Sequence, residues 1–126
     1  MAGTDFTKII AWQKSHEYVK QVYESVKSFP QFETRGLLSQ YTRAAVSIAA
    51  NIAEGTQKFS KADKLKFLNI AQGSLHECRY YNILSKDLNY INEEHYQKLT
   101  YAWDGAAFFL NKYIEGIENT TFNNII

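Results

Sequence analysis

The sequence predicts an all-α protein, an antiparallel up-down-up-down four-helix bundle formed by a single domain over residues 1–126. Three observations predict it. Four long segments carry apolar residues at spacings of three and four, the period of an amphipathic helix. Pro30 is the only proline and Gly or Ser clusters are few, which is the punctuation of long helices joined by short loops. A content of 45% hydrophobic and 21% charged residues is that of a globular chain, and a domain of this length buries roughly two-thirds of its unfolded surface. Helices are expected at about 9–27, 34–54, 61–88 and 93–117.

In the first helix Ile9, Trp12, His16, Val19, Tyr23 and Val26 mark the expected core face, with His16 as a core histidine bonded to a neighbour. Lys14, Glu17, Lys20, Gln21 and Glu24 take the other side. Thr7 is the expected cap, and Phe29-Pro30 ends the helix because the residue before proline disfavours helical dihedrals.

The second helix is unusual in its lack of charge. Between Leu37 and Glu54 only Arg43 and Glu54 are charged, and Gly55 reads as the terminator. A surface helix turns about half its circumference to water, so this one is expected to be covered on more than one side. At about 100° per residue it divides into three faces. Leu37, Tyr41, Ala45, Ile48 and Ile52 form the core face. Gln40, Arg43, Ser47, Asn51 and Glu54 form a polar stripe, and Val46, Ala50 and Ala53 form a third side that lets another backbone come close.

Ser60 caps the third helix, with Asp63 favoured by the helix dipole in its first turn. Phe67, Leu68, Ala71, Leu75, Cys78, Tyr81, Leu84 and Leu88 keep one side apolar, and Gly73-Ser74 suggests a close crossing. Asn92 caps the fourth helix, where Tyr96, Leu99, Trp103, Ala106, Leu110, Tyr113 and Ile117 follow a heptad rhythm up to Gly116 and the Asn-rich tail.

Charge and composition narrow the function classes. The 14 basic and 13 acidic side chains leave +1, so bulk attraction to nucleic acid or an acidic membrane is not expected. Residues 55–90 are basic in excess and residues 91–126 acidic in excess, a polarity suited to head-to-tail contacts. The 9 Tyr, 8 Phe and 2 Trp exceed what a small core needs and suggest contacts between chains. A lone Cys78 makes no internal disulfide and reads as a buried filler. Met1 is followed by no basic and then apolar run, and no stretch approaches the ~20 apolar residues of a membrane span, so a cytoplasmic protein without membrane contact is expected.

No catalytic motif stands out. No glutamate has a histidine three residues on, and phosphate loops and nucleophile elbows are lacking. A non-enzymatic protein without cofactor or metal is the leading expectation, with an enzyme using Glu54, Glu77 and Arg43 around a shared crevice as the alternative. The polar stripe Gln40, Arg43, Ser47, Asn51 and Glu54 is the candidate assembly or binding site. Lys58, Lys61, Lys64 and Lys66, with Phe59 interleaved, are candidate phosphate contacts.

These residues together resemble a known family, the bacterial four-helix-bundle proteins also called 23S rRNA intervening-sequence proteins. The resemblance is carried by Trp12-Gln13-Lys14 with His16, by Phe29-Pro30 with Glu33, and by Gly36-Leu37 with Ser39-Gln40. It continues through Arg43-Ala44-Ala45-Val46-Ser47-Ile48, Asn51-Ile52-Ala53-Glu54-Gly55, and Phe67-Leu68 with Ala71, Gly73-Ser74 and Glu77. It implies an up-down-up-down bundle that assembles into a ring-like homopentamer. Some genes of that family lie inside intervening sequences of ribosomal RNA genes. A more distantly similar protein accompanies the reverse transcriptase of diversity-generating retroelements, where a basic pentamer binds the enzyme and nucleic acid; this chain departs from it in being nearly neutral. The expected partners are thus further copies of the chain, and RNA, DNA or a nucleic-acid enzyme. A pure protein-interaction module, with the aromatic fourth helix or the tail of residues 122–126 as the contact, is the alternative.

Overall fold

The computed structural model describes residues 5–120; the tail of residues 122–126 lies outside them. Four helices follow in order: α1 (Ile10–Ser25), α2 (Leu37–Thr56), α3 (Lys61–Asp87) and α4 (Glu93–Glu118). Short 3-10 turns at Phe6–Lys8, Val26–Ser28 and Gln31–Glu33 precede and follow α1, and the described residues contain no strand. Each helix packs on its neighbours in cyclic order, most extensively α2 on α3 and α1 on α4. The α2–α3 pair is therefore one side of an all-α four-helix bundle and the α1–α4 pair the opposite side.

Local chemistry sets the helix ends. Ser60 Oγ accepts the Asp63 N–H at 3.1 Å and Asn92 Oδ1 accepts the His95 N–H at 2.8 Å, as the sequence led us to expect. Thr7 does not cap α1; it donates to Asp5 within the first turn, and Ile9 precedes α1 without a side-chain cap. The start of α2 is later than expected. Gly36 precedes it, and Glu33 Oε1 accepts the Leu37 N–H at 3.0 Å in place of a capping hydroxyl. The other Glu33 oxygen accepts the Tyr90 phenol at 2.7 Å, which ties the α1–α2 and α3–α4 connections together at one end of the bundle. These bonds hold the Glu33 carboxyl below its usual range, the Leu37 N–H contributing most. At the end of α3, Asn89 takes φ 61°, the Tyr90 N–H reaches Ser85 O, and the Asn89 N–H reaches Lys86 O, both at 2.9 Å. That is a Schellman closure with asparagine where glycine is usual.

The core gathers Tyr18, Val22, Tyr41, Ile48, Ile52, Leu68, Leu75, Leu99 and Leu110, all fully buried. The heptad positions of α4 face it as expected. In α1 the expected face is rotated. Ala11, Ser15, Tyr18, Val22 and Ser25 are buried, whereas Tyr23 and His16 are exposed and Trp12 and Val19 sit at the flank. His16 is not a core histidine; it stacks on Trp12 with ring centres 4.8 Å apart. Two stripes of helical period overlap in α1, and bulk alone favours the wrong one, because serine and alanine bury cheaply while histidine and tyrosine keep their polar ends wet.

The glycines also behave differently from expectation. Gly55 lies inside α2, buried, and a Cβ there would stand 3.3 Å from both Lys64 O and Phe67 Cβ, so it marks the close approach of α2 to α3 instead of a helix end. Gly73 faces open space, so of the Gly73-Ser74 pair Ser74 alone meets α2, and Gly116 lies within α4 in open space as well. Leu88 is exposed at the end of α3.

Candidate functional site

The stripe on α2 lies along the seam with α3, where a groove of about 340 Å³ is lined by Gln40, Arg43, Ala44, Ser47, Ser74 and Glu77. Ser74 Oγ donates to Ser47 Oγ at 2.9 Å, and Asn51 Nδ2 donates to Ser47 Oγ at 3.0 Å and to Ser47 O at 2.8 Å. At one end the Tyr81 hydroxyl has two acceptors within reach, Glu77 Oε2 at 2.7 Å and Gln40 Oε1 at 3.1 Å. Burial first, and then the hydrogen bond to the Glu77 carboxylate, push the Tyr81 phenol up to about 12. Arg43 is exposed and makes no hydrogen bond or ion pair with any described residue.

Glu54 stands apart from the rest of the stripe. It pairs with Lys58 at 3.3 Å and does not line the groove, being eleven residues and hence about 16 Å along α2 from Arg43. The crevice envisaged for Glu54, Glu77 and Arg43 therefore brings only the last two together. Among the described residues no group of three or more His, Cys, Asp or Glu is arranged to hold a metal ion. No helix is long and apolar enough to cross a membrane.

The lysines of the run Lys58, Lys61, Lys64 and Lys66 have partners of their own. Lys58 also lies over the Phe67 ring at 4.9 Å, Lys61 Nζ donates to Glu118 O at 2.7 Å, and Lys64 Nζ donates to Thr56 O at 3.3 Å. Each of these three cations is committed to helix-end or aromatic contacts, while Lys66 lies 6.0 Å from the Phe67 ring centre.

The sequence reading missed a buried polar centre. Asn82, itself buried, accepts through Oδ1 from the Tyr18 hydroxyl at 2.6 Å and from the Tyr41 hydroxyl by a short bond. Cys78 lies beside them, and burial raises its thiol to about 12, so it is not a nucleophile at neutral pH. The signal was present: Asn82 stands four residues after Cys78 and seven after Leu75, on the core phase of α3.

A second, larger groove also escaped the sequence reading. It runs along the outside of α1 and α4, about 970 Å³ in volume, with Lys14, Glu17 and Gln21 on one wall and Glu94, Tyr101, Gly105 and Phe108 among the residues of the other. Tyr101 is 83% exposed and Phe108 55% exposed, so this side of α4 offers aromatic surface to solvent.

No curated protein matches the sequence. Among solved structures, a protein of unknown function from the S23 ribosomal protein family of Bacteroides thetaiotaomicron superposes with a TM-score of 0.75. It shares 28% sequence identity, and the match covers 83% of this chain and 98% of that one. Residues 7–112 match the description of the 23S rRNA-intervening sequence protein family. With its four-helix bundle and a match over most of its length, the chain belongs to that family.

Proposed function

We propose that the protein is a non-enzymatic cytoplasmic scaffold whose copies associate, as a pentamer by family resemblance, through the outer face of α2. One observation carries this reading: Val46 is 43% exposed and Ala50 is exposed on a helix with two charges between Leu37 and Thr56. A helix face turned permanently to water normally carries Lys and Glu, whereas small uncharged residues suit a second backbone. The coverage expected for α2 is not supplied within one chain, so a neighbouring copy is its natural source. The Asn51, Ser47 and Ser74 hydrogen bonds support the reading, because they fix the rotation of α2 against α3 and hence the direction of this face.

Light scattering across concentration tests it. The expected mass is a multiple of the 14.6 kDa chain, and Val46→Glu should reduce it to one chain while leaving the helical circular dichroism unchanged. A wild-type mass of one chain at every concentration refutes the proposal. Nucleic acid or a nucleic-acid enzyme is the second role such a scaffold would serve. Arg43 and Lys66 are free of ion pairs and would supply its phosphate contacts. Binding of structured RNA that weakens as salt rises supports that role, through counterion release, and absence of binding at low salt removes it.

A further inference from the structure

We propose that the groove along the α2–α3 seam binds a small zwitterion, a free α-amino acid, with its carboxylate on Arg43 and its ammonium group on Glu77. The inference goes beyond the scaffold reading and does not rest on it.

Opposite charges reach this groove without reaching each other. The Ser47–Ser74 and Gln40–Tyr81 contacts set α2 and α3 in an antiparallel register that brings Arg43 level with Glu77. Both side chains line the groove, yet no ion pair joins them. The Tyr81 hydroxyl, 2.7 Å from Glu77 Oε2, ties that carboxylate to its own helix, and Glu77 Oε1 has no donor among the described residues. The Arg43 guanidinium likewise keeps all its donors free of described partners. A simple anion on Arg43 would meet the like charge of Glu77, and a simple cation on Glu77 would meet Arg43. A molecule that carries both charges satisfies the two groups at once, each through a charge-assisted hydrogen bond.

The neutral groups of the groove agree. Ser47 Oγ accepts from Asn51 Nδ2 at 3.0 Å, and a single proton lies between Ser47 Oγ and Ser74 Oγ, 2.9 Å apart. Two hydroxyls carry two protons, so one of them has no acceptor among the described residues and is available to a carboxylate held by Arg43, one helical turn away. Asn51 fixes Ser47 and Tyr81 fixes Glu77 before anything binds, which lowers the ordering cost of an occupant. Ala44 leaves the groove its small volume of about 340 Å³. That lies near the roughly 300 Å³ lower bound of ligand sites and restricts the occupant to a compact molecule.

Titration of the full chain with glycine, followed by backbone amide NMR, tests the inference. Saturable shifts are expected at residues 40–47 and 74–81. Acetate and methylammonium should each bind about tenfold or more weakly than glycine, because each keeps only one of the two charged contacts. Arg43 and Glu77 are exposed, so Arg43→Gln and Glu77→Gln should retain the helical circular dichroism while each weakens glycine by about tenfold or more. Acetate should weaken with the first variant and not the second, and methylammonium with the second and not the first. Absence of saturation by glycine well above millimolar concentration overturns the inference. So does acetate or inorganic phosphate binding as tightly as glycine, which would mark an anion site only, and so does unchanged glycine affinity in either variant. If a variant loses its circular dichroism, the three ligands compared on wild type still decide. None of these outcomes bears on the association of copies, which is read from mass.

Discussion

Replacing Asn82 by leucine keeps the volume of a buried side chain and removes the acceptor shared by Tyr18 and Tyr41. The cost follows from the partners left behind. Tyr18 and Tyr41 lie within hydrogen-bonding range of each other, so one phenol can turn to the other and a single hydroxyl is orphaned. One buried donor without an acceptor costs about 1–3 kcal/mol, and the net loss of the second bond adds roughly 1 kcal/mol. The expected destabilisation is about 2–4 kcal/mol, read from urea unfolding followed by circular dichroism. The discriminating protein is the triple variant Asn82→Leu, Tyr18→Phe, Tyr41→Phe. With donors and acceptor all gone, most of the lost stability should return, because replacing both sides of a bond by apolar groups is nearly neutral. Asn82→Leu within about 0.5 kcal/mol of wild type, or a triple variant no better than the single, would refute the reasoning.

Two further predictions concern the same helices. Gly55→Val should destabilise by about 1–3 kcal/mol, because its side chain meets the Lys64 carbonyl and Phe67 at the α2–α3 contact. Gly73→Ala, with nothing within 4 Å, should stabilise by up to about 1 kcal/mol through helix propensity, and equal urea midpoints for the two variants would contradict this packing. Burial raises Tyr18 and Tyr41 and places Tyr81 at about 12, above the ~10 of an unfolded tyrosine. Their contribution to stability is therefore complete below pH ~10 and is lost as pH climbs toward the folded values. Tyrosinate absorbance should show the exposed phenols titrating first and these three only as helical signal disappears; all 9 tyrosines titrating together near pH ~10 with the fold intact would contradict it.

What was legible in the sequence is what one helix decides by itself. Ser60 and Asn92 cap their helices as read, and the uninterrupted heptad of α4 placed its core face, because capping residues and a regular period are local signals. The α1 face was misjudged because Ala11, Ser15 and Ser25 are buried by what α2, α3 and α4 bring to them, not by their own hydrophobicity. The ends of α2 failed for the same reason. Gly36 accommodates the Glu33 carboxylate, whose oxygen would lie 2.8 Å from a Cβ there, and Gly55 accommodates α3. Gly55 is therefore no terminator, while Gly36 stands just before the first residue of α2. In the candidate site Gln40, Arg43 and Ser47 line one groove, and Asn51 bonds to Ser47. Glu54 pairs with Lys58 and does not line that groove. Tyr81, Ser74 and Glu77 complete the groove from a different helix, and no spacing along α2 names them.

A helix as poor in charge as α2 poses a problem that its neighbours must solve. Its large side chains, Leu37, Tyr41, Ile48 and Ile52, turn one face inward, but the small uncharged residues beside them leave room for the helix to swing by part of a turn. Directional bonds to α3 remove the ambiguity. Tyr41 meets Asn82 inside the core, Ser47 meets Ser74 at the seam, Gln40 meets Tyr81 at its end, and Gly55 admits the α3 backbone at the other. A one-residue slip would turn Leu37, Tyr41, Ile48 and Ile52 out of the core and would also take the buried Tyr41 hydroxyl from Asn82, at about 1–3 kcal/mol for the unpaired donor. The polar contacts between α2 and α3 are thus the condition for an uncharged outer face to remain outside and point in one direction.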